Sequence, residues 1–153
     1  MNNHLFIFSP GSWNGEGEIR LNMVEEELGF YTRWNIMQVD SSRIECIQEI
    51  QVKGLSDIMF NQFSFFDFAQ SNFTIELENQ ALGKIQGTGL STDKVIAWEF
   101  RIPDIGFEGF EFYEKDSDGT YFMRAEYATR DQFRTLIQGK VWQPSKTEEP
   151  KKR

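Results

Sequence analysis

The chain holds one cysteine and one histidine in 153 residues. A lone cysteine excludes an intramolecular disulfide, and a lone histidine excludes a histidine-rich metal site. Bases are scarce as well: 16 Lys and Arg stand against 24 Asp and Glu, a formal net charge of −8. A surface of that sign is repelled by phosphate backbones, so no nucleic acid partner is expected. No stretch approaches the roughly 20 apolar residues of a membrane span. The early run Leu5-Phe6-Ile7-Phe8 is too short for a secretory signal and has no basic residues before it. No membrane partner is therefore expected, and the expected compartment is the cytoplasm.

Aromatic residues, by contrast, are plentiful: 15% of the chain, with Phe in 15 copies. Apolar residues reach 39%, enough for a packed core and too much for a disordered chain. Their spacing is mostly two, the strand period. Trp13, Ile19 and Leu21 share a face with Gly15 and Gly17 between them. Leu28, Phe30, Thr32, Trp34 and Ile36 repeat the pattern, as do Ile44, Cys46, Gln48, Ile50 and Val52. So do Phe73, Ile75 and Leu77; Ile96, Trp98, Phe100 and Ile102; and Tyr121, Met123, Ala125 and Tyr127. Turn-forming clusters such as Asp40-Ser41-Ser42 and Asp116-Ser117-Asp118-Gly119 separate the runs.

Short links between successive strands imply an all-β fold, an antiparallel up-and-down meander of about ten strands. Left open, such a sheet has two unpaired edges; closing it into a barrel removes them. One barrel domain is expected over residues 1–142, with a disordered polar tail over 143–153. Short helices are expected at most over 22–27 and 129–133. The segment 58–68 breaks simple alternation: Phe60, Phe66 and Phe68 have one parity, Met59, Phe63 and Phe65 the other. It is either covered on both faces or shifted by a bulge.

Gly11-Ser12-Trp13-Asn14-Gly15-Glu16-Gly17 resembles the G-x-W opening of the calycin superfamily, and is most similar to nitrobindin-like domains and their fatty-acid-binding relatives. Tyr31-Thr32-Arg33-Trp34 resembles the aromatic run of the second strand. The resemblance implies that Trp13 closes one end of the barrel, with Gly15 and Gly17 allowing close approach and Arg124 or Arg134 stacked on the indole. It also implies haem in nitrobindin-like domains, held by a late histidine. The matching region, 131–137, has no histidine, so no haem or other cofactor is expected; Met123 and Tyr127 are the remaining donor types there. An R-x-Y carboxylate clamp is missing too, since Arg124 and Tyr127 fall on opposite faces.

No catalytic constellation emerges. His4 precedes the first strand, Cys46 reads as a small buried apolar residue, and Glu76 and Glu78 lie on a solvated face. The acidic cluster at 116–119 reads as a hairpin turn rather than a calcium loop, whose twelfth position needs a glutamate where Tyr127 stands. No acid–base group is placed inside the barrel, so the protein is not expected to be an enzyme. The favoured reading is a small hydrophobic or aromatic ligand held among Phe30, Thr32, Trp34, Gln48, Phe60, Gln62, Trp98, Phe100, Phe110 and Phe112. The alternative is a barrel filled by its own phenylalanines. That barrel would act through a protein partner or a homodimer, on an exposed patch formed by Met59, Phe63 and Phe65.

Overall fold

A computed structural model describes residues 4–131 and 133–144. Its ten strands are β1 (Gly11–Leu21), β2 (Glu27–Asp40), β3 (Arg43–Val52), β4 (Ile58–Phe66), β5 (Asn72–Asn79), β6 (Gly83–Ser91), β7 (Val95–Ile102), β8 (Phe107–Lys115), β9 (Tyr121–Ala128) and β10 (Arg134–Trp142). Each pairs antiparallel with the next, and β1 pairs with β10, so the sheet closes on itself. This is the all-β, ten-strand meander expected from the alternation. Residues 145–153, most of the expected tail, lie outside the described residues.

At one point of the closing seam neither strand carries a side chain. Gly17 on β1 is registered with Gly139 on β10. A Cβ added at Gly17 would stand 2.7 Å from the Cα of Gly139, closer than two such atoms can approach. The seam continues into the β1–β2 loop, where Asn22 and Arg134 exchange hydrogen bonds: the Asn22 N–H donates to the Arg134 carbonyl, and the Arg134 N–H to Asn22 Oδ1. Asn22 is thereby held in the ladder. The helix expected over 22–27 does not form, and six residues are too few to nucleate one unaided. The segment 129–133 closes the β9–β10 hairpin with an N–H···O=C bond from Thr129 to Phe133. Among the described residues, the helical content is one 3-10 turn, Pro103–Ile105.

The β4 segment resolves the parity conflict. It pairs with β3 residue by residue without a bulge. Phe63 and Phe65 point inward and are buried. The outer face is covered at one end: Ser64 donates to Glu45, and the Arg43 guanidinium lies 4.7 Å above the Phe66 ring. Phe63 and Phe65 therefore form no exposed patch.

The two ends of the barrel differ. At the end where β1 begins, residues 4–10 fold back under the strands. Phe6 and Ile7 are fully buried. The Phe6 ring packs 5.0–5.4 Å from the rings of Trp13, Trp34, Tyr113 and Tyr121. Ile7 sits at φ 59°, a left-handed conformation that costs a β-branched residue on the order of 1–2 kcal/mol. Contacts of both side chains with the core offset that cost. His4 is buried beside them. Its Nε2–H donates to the Thr92 carbonyl at 2.6 Å, and Nδ1 accepts from the Tyr121 hydroxyl at 2.7 Å. We call this end the base and the opposite end, where β1 finishes, the mouth.

Candidate functional site

Large rings fill the base and middle of the barrel. Trp34, Phe63, Phe65, Trp98, Phe100 and Tyr113 are all buried there. Trp34 stacks on Phe63 at 5.4 Å, and Trp98 packs on Tyr113 at 5.2 Å. Toward the mouth many inward residues are smaller: Ile19, Thr32, Ile50, Leu77, Thr135 and Ile137. A cavity of about 400 Å³ remains among them, floored by Trp34, Phe63 and Tyr113. It is bordered by the half-exposed Met59. Seven exposed apolar side chains surround the mouth: Met23, Val24, Leu55, Ile58, Met59, Ile105 and Phe133.

Two polar features are built into the cavity wall. One is a row of hydrogen bonds across four strands. Asn79 donates to Asn61, Asn61 to Gln48, Gln48 to Thr32, and Thr32 to the Glu49 carbonyl, at 2.8–3.0 Å. Asn79 Oδ1 also accepts the Leu82 N–H, which fixes the β5–β6 turn to the row. A row so connected holds each amide in one orientation.

The other feature is a carboxyl group. Glu111 on β8 receives hydrogen bonds from the hydroxyls of Tyr113, at 2.6 Å, and Tyr127. Tyr127 reaches it because its ring lies over Gly109, where any side chain would collide with it. Phe107 stacks on the other side of Tyr127 at 5.5 Å. Burial raises the Glu111 carboxyl above its usual range, against the opposing effect of the two phenols. Burial and the neighbouring carboxyl together hold both phenols well above theirs.

The residues expected to line the interior divide into three groups. Phe30, Thr32, Trp34 and Gln48 border the cavity. Trp98 and Phe100 point inward but belong to the packed core. Phe60, Gln62, Phe110 and Phe112 face outward, contrary to expectation. Phe60 is 56% exposed; Gln62 donates to Glu45 on the outer face; Phe112 lies under the Arg124 guanidinium at 6.0 Å. Arg124 is therefore not stacked on Trp13, whose ring partners are Phe6 and Tyr121. Arg134 pairs with Glu126.

The expectation that no acid–base group lies inside also fails, at Glu111. That residue shares its parity with Tyr113 and Phe107, not with Phe110 and Phe112. The signal was available. Tyr121 registers opposite Lys115 across the Asp116–Gly119 turn, and directly paired residues point the same way. An inward Tyr121 therefore puts Tyr113 and Glu111 inside. His4 was missed for another reason: it reaches Tyr121 across 117 positions of sequence, which no local pattern encodes.

Among the described residues, no cluster of three or more metal-ligating side chains occurs, and no helix is long and apolar enough to cross a membrane. Of the donor types haem would need, no histidine borders the cavity, whereas Met123 and Tyr127 do. Both ring nitrogens of His4 are engaged in the base, and the Tyr127 hydroxyl is committed to Glu111.

No family model and no curated protein matches the chain. Solved structures do. The S-type phycobiliprotein lyase CPES from Guillardia theta superposes with a TM-score of 0.69 at 10% identity, over 90% of this chain and 89% of that one. Rv2717c from M. tuberculosis gives 0.70 at 13% identity, over 92% and 97%. The fold shared with them is a closed antiparallel barrel. Identities this low establish fold alone and transfer no residue roles.

Proposed function

We propose that this barrel binds a small, mostly apolar molecule in the cavity at its mouth, in contact with Phe30, Thr32, Trp34 and Gln48. One observation carries the reading: a cavity of about 400 Å³ persists in a barrel whose other half is packed solid with aromatic rings. That volume falls within the range of small-molecule sites, roughly 300–1,000 Å³. Its makeup fits as well, being an apolar wall with a few fixed polar groups. The apolar rim gives such a ligand a path from solvent or from a carrier. Trp98 supports the floor from behind, packed on Trp34, Phe63 and Tyr113.

The kinship with nitrobindin-like and fatty-acid-binding domains is part of this proposal at the level of architecture. The haem chemistry of the former and the carboxylate clamp of the latter are not. The likeness to a phycobiliprotein lyase supports the barrel architecture and brings no lyase activity with it.

Native mass spectrometry of protein purified from its own cells tests the proposal, together with titration of Trp34 emission by a neutral probe, 1-naphthalenemethanol. The expected result is a co-purifying small molecule or saturable quenching. Ile50→Trp, which fills the cavity, should abolish either signal while leaving the circular dichroism unchanged. Absence of both signals in the wild type would refute the reading.

A further inference from the structure

The charge pattern of the cavity narrows the class of ligand; this step rests on the cavity being a binding site. Among the side chains bordering it, Glu111 is the one carboxyl, and neither arginine nor histidine is present. Lys140 touches the border, but its chain runs along the outer face and its ammonium lies 5.8 Å from the Phe122 ring centre. A ligand carboxylate would thus enter a low-dielectric space with no cation to meet it and a carboxyl already there. Burying an unpaired charge is among the costliest steps a binding site can impose.

A ligand cation meets the opposite situation. The two phenols donate to separate oxygens of Glu111, Oε1 and Oε2. The group is thereby oriented as an acceptor, and each oxygen keeps a further lone pair. No protein cation lies within ion-pair distance of it among the described residues. Without such a partner, burial favours uptake of a proton. On the facing wall, β3 stands five strands from β8 in either direction round the ring. The amide row centres there, and one N–H of each of Gln48, Asn61 and Asn79 has no partner among the described residues.

We propose that the ligand is an amphiphilic nitrogen base, with its ammonium or ring N–H on Glu111, its apolar body over Trp34 and Phe30, and a hydrogen-bond acceptor toward the Gln48 and Asn61 amides. Glu111 is then the specificity-determining residue, and fatty carboxylates are excluded.

The test is calorimetric titration with three probes of one shape: 1-naphthylmethylamine, 1-naphthalenemethanol and 1-naphthoate. The amine is expected to bind at least ten-fold tighter than the alcohol, and the carboxylate weakest. Glu111→Gln should lower amine affinity close to that of the alcohol and change alcohol affinity far less. Should that variant not fold, the wild type still decides. Amine affinity must fall as the pH is lowered from about 8 and Glu111 takes up a proton, while alcohol affinity changes far less. The other titratable groups facing Glu111 are Tyr113 and Tyr127, with Cys46 behind Tyr113; all three are raised and stay neutral throughout. Carboxylate binding equal to that of the amine, or an amine preference that survives Glu111→Gln, overturns the assignment and leaves the cavity reading intact. Binding of none of the three removes both.

Discussion

Replacing Phe6 by alanine tests whether residues 4–10 are part of the folded core or a loose leader. Phe6 is fully buried and stands within 5.4 Å, centre to centre, of four other rings. Truncating a buried phenylalanine costs about 3–5 kcal/mol. Edge-to-face pairs contribute about 0.5–1.5 kcal/mol each beyond area burial, which places Phe6 in the upper half of that range, near 4–5 kcal/mol. For a urea slope of about 2 kcal/mol per molar, the midpoint should fall by about 2 M. The thermal midpoint should drop by about 8–20 °C in a domain of this size. Equilibrium unfolding followed by tryptophan emission gives both. A substitution in a loose leader stays within about 0.5 kcal/mol. The two cases are thus separated several-fold, and a midpoint shift below about 0.3 M would refute the plugged base.

The remaining predictions concern the seam, the base and the thiol. Gly17→Ala, which forces a methyl group against Gly139, should destabilise the barrel by about 1–3 kcal/mol in urea; a neutral result would mean that β1 and β10 are not in close register. Burial lowers the pKa of His4 below its ordinary value, and the nearby Lys115 charge assists. The hydrogen bond to Thr92 and the Asp93 charge oppose this without reversing it. The unfolded chain then binds the extra proton first. Stability due to neutral His4 is therefore complete above about pH 6.5 and is lost as pH falls below that value toward the folded pKa. Urea midpoints of wild type and His4→Gln should converge as the pH falls below about 6.5, and a constant gap would contradict the buried neutral imidazole. Cys46 is fully buried and its thiol is pushed up by burial. It should resist thiol reagents in buffer and react fully in urea; rapid labelling of the native protein would show that β3 opens.

Much of the fold was legible because a half-buried strand writes its two faces into every second residue. The runs 28–36, 44–52, 73–77, 96–102 and 121–127 place their inward faces where the barrel has them. Alternation fails as a guide where both faces are hydrophobic. On β8, Phe107, Phe110, Phe112 and Tyr113 supply an aromatic ring to each face. The phase is then set by pairing with β9 and not by the residues themselves. The wrong phase put Phe110 and Phe112 inside and left Glu111 out. On β4 the same ambiguity exchanged Phe60 and Gln62 for Asn61 and Phe63. The base was illegible for a different reason: Phe6 and His4 gain their contacts only after the barrel has closed.

The question left open by composition was whether so many rings line a binding cavity or fill it. They fill the barrel, and only over part of its length. A ten-strand barrel is too wide for mid-sized side chains to meet across its axis. Where Trp13, Trp34, Phe63, Phe65, Trp98 and Tyr113 point inward, helped by Phe6 from below, the width is spanned. Where Ile19, Thr32, Gln48, Ile50, Asn61 and Thr135 take those places it is not, and a cavity remains although Phe30, Phe107 and Tyr127 also border it. The packed rings of the base thus act as a floor, and mostly smaller residues form the walls. Within those walls, a carboxyl can be tolerated because Tyr113 and Tyr127 share its burial. Removing both hydroxyls by Tyr113→Phe and Tyr127→Phe would leave Glu111 a buried group with neither donor. Its pKa should rise further, and amine binding should then weaken at neutral pH and recover as the pH is raised. Amine binding that keeps its wild-type pH profile in that double variant would show that the phenols do not set the charge of Glu111.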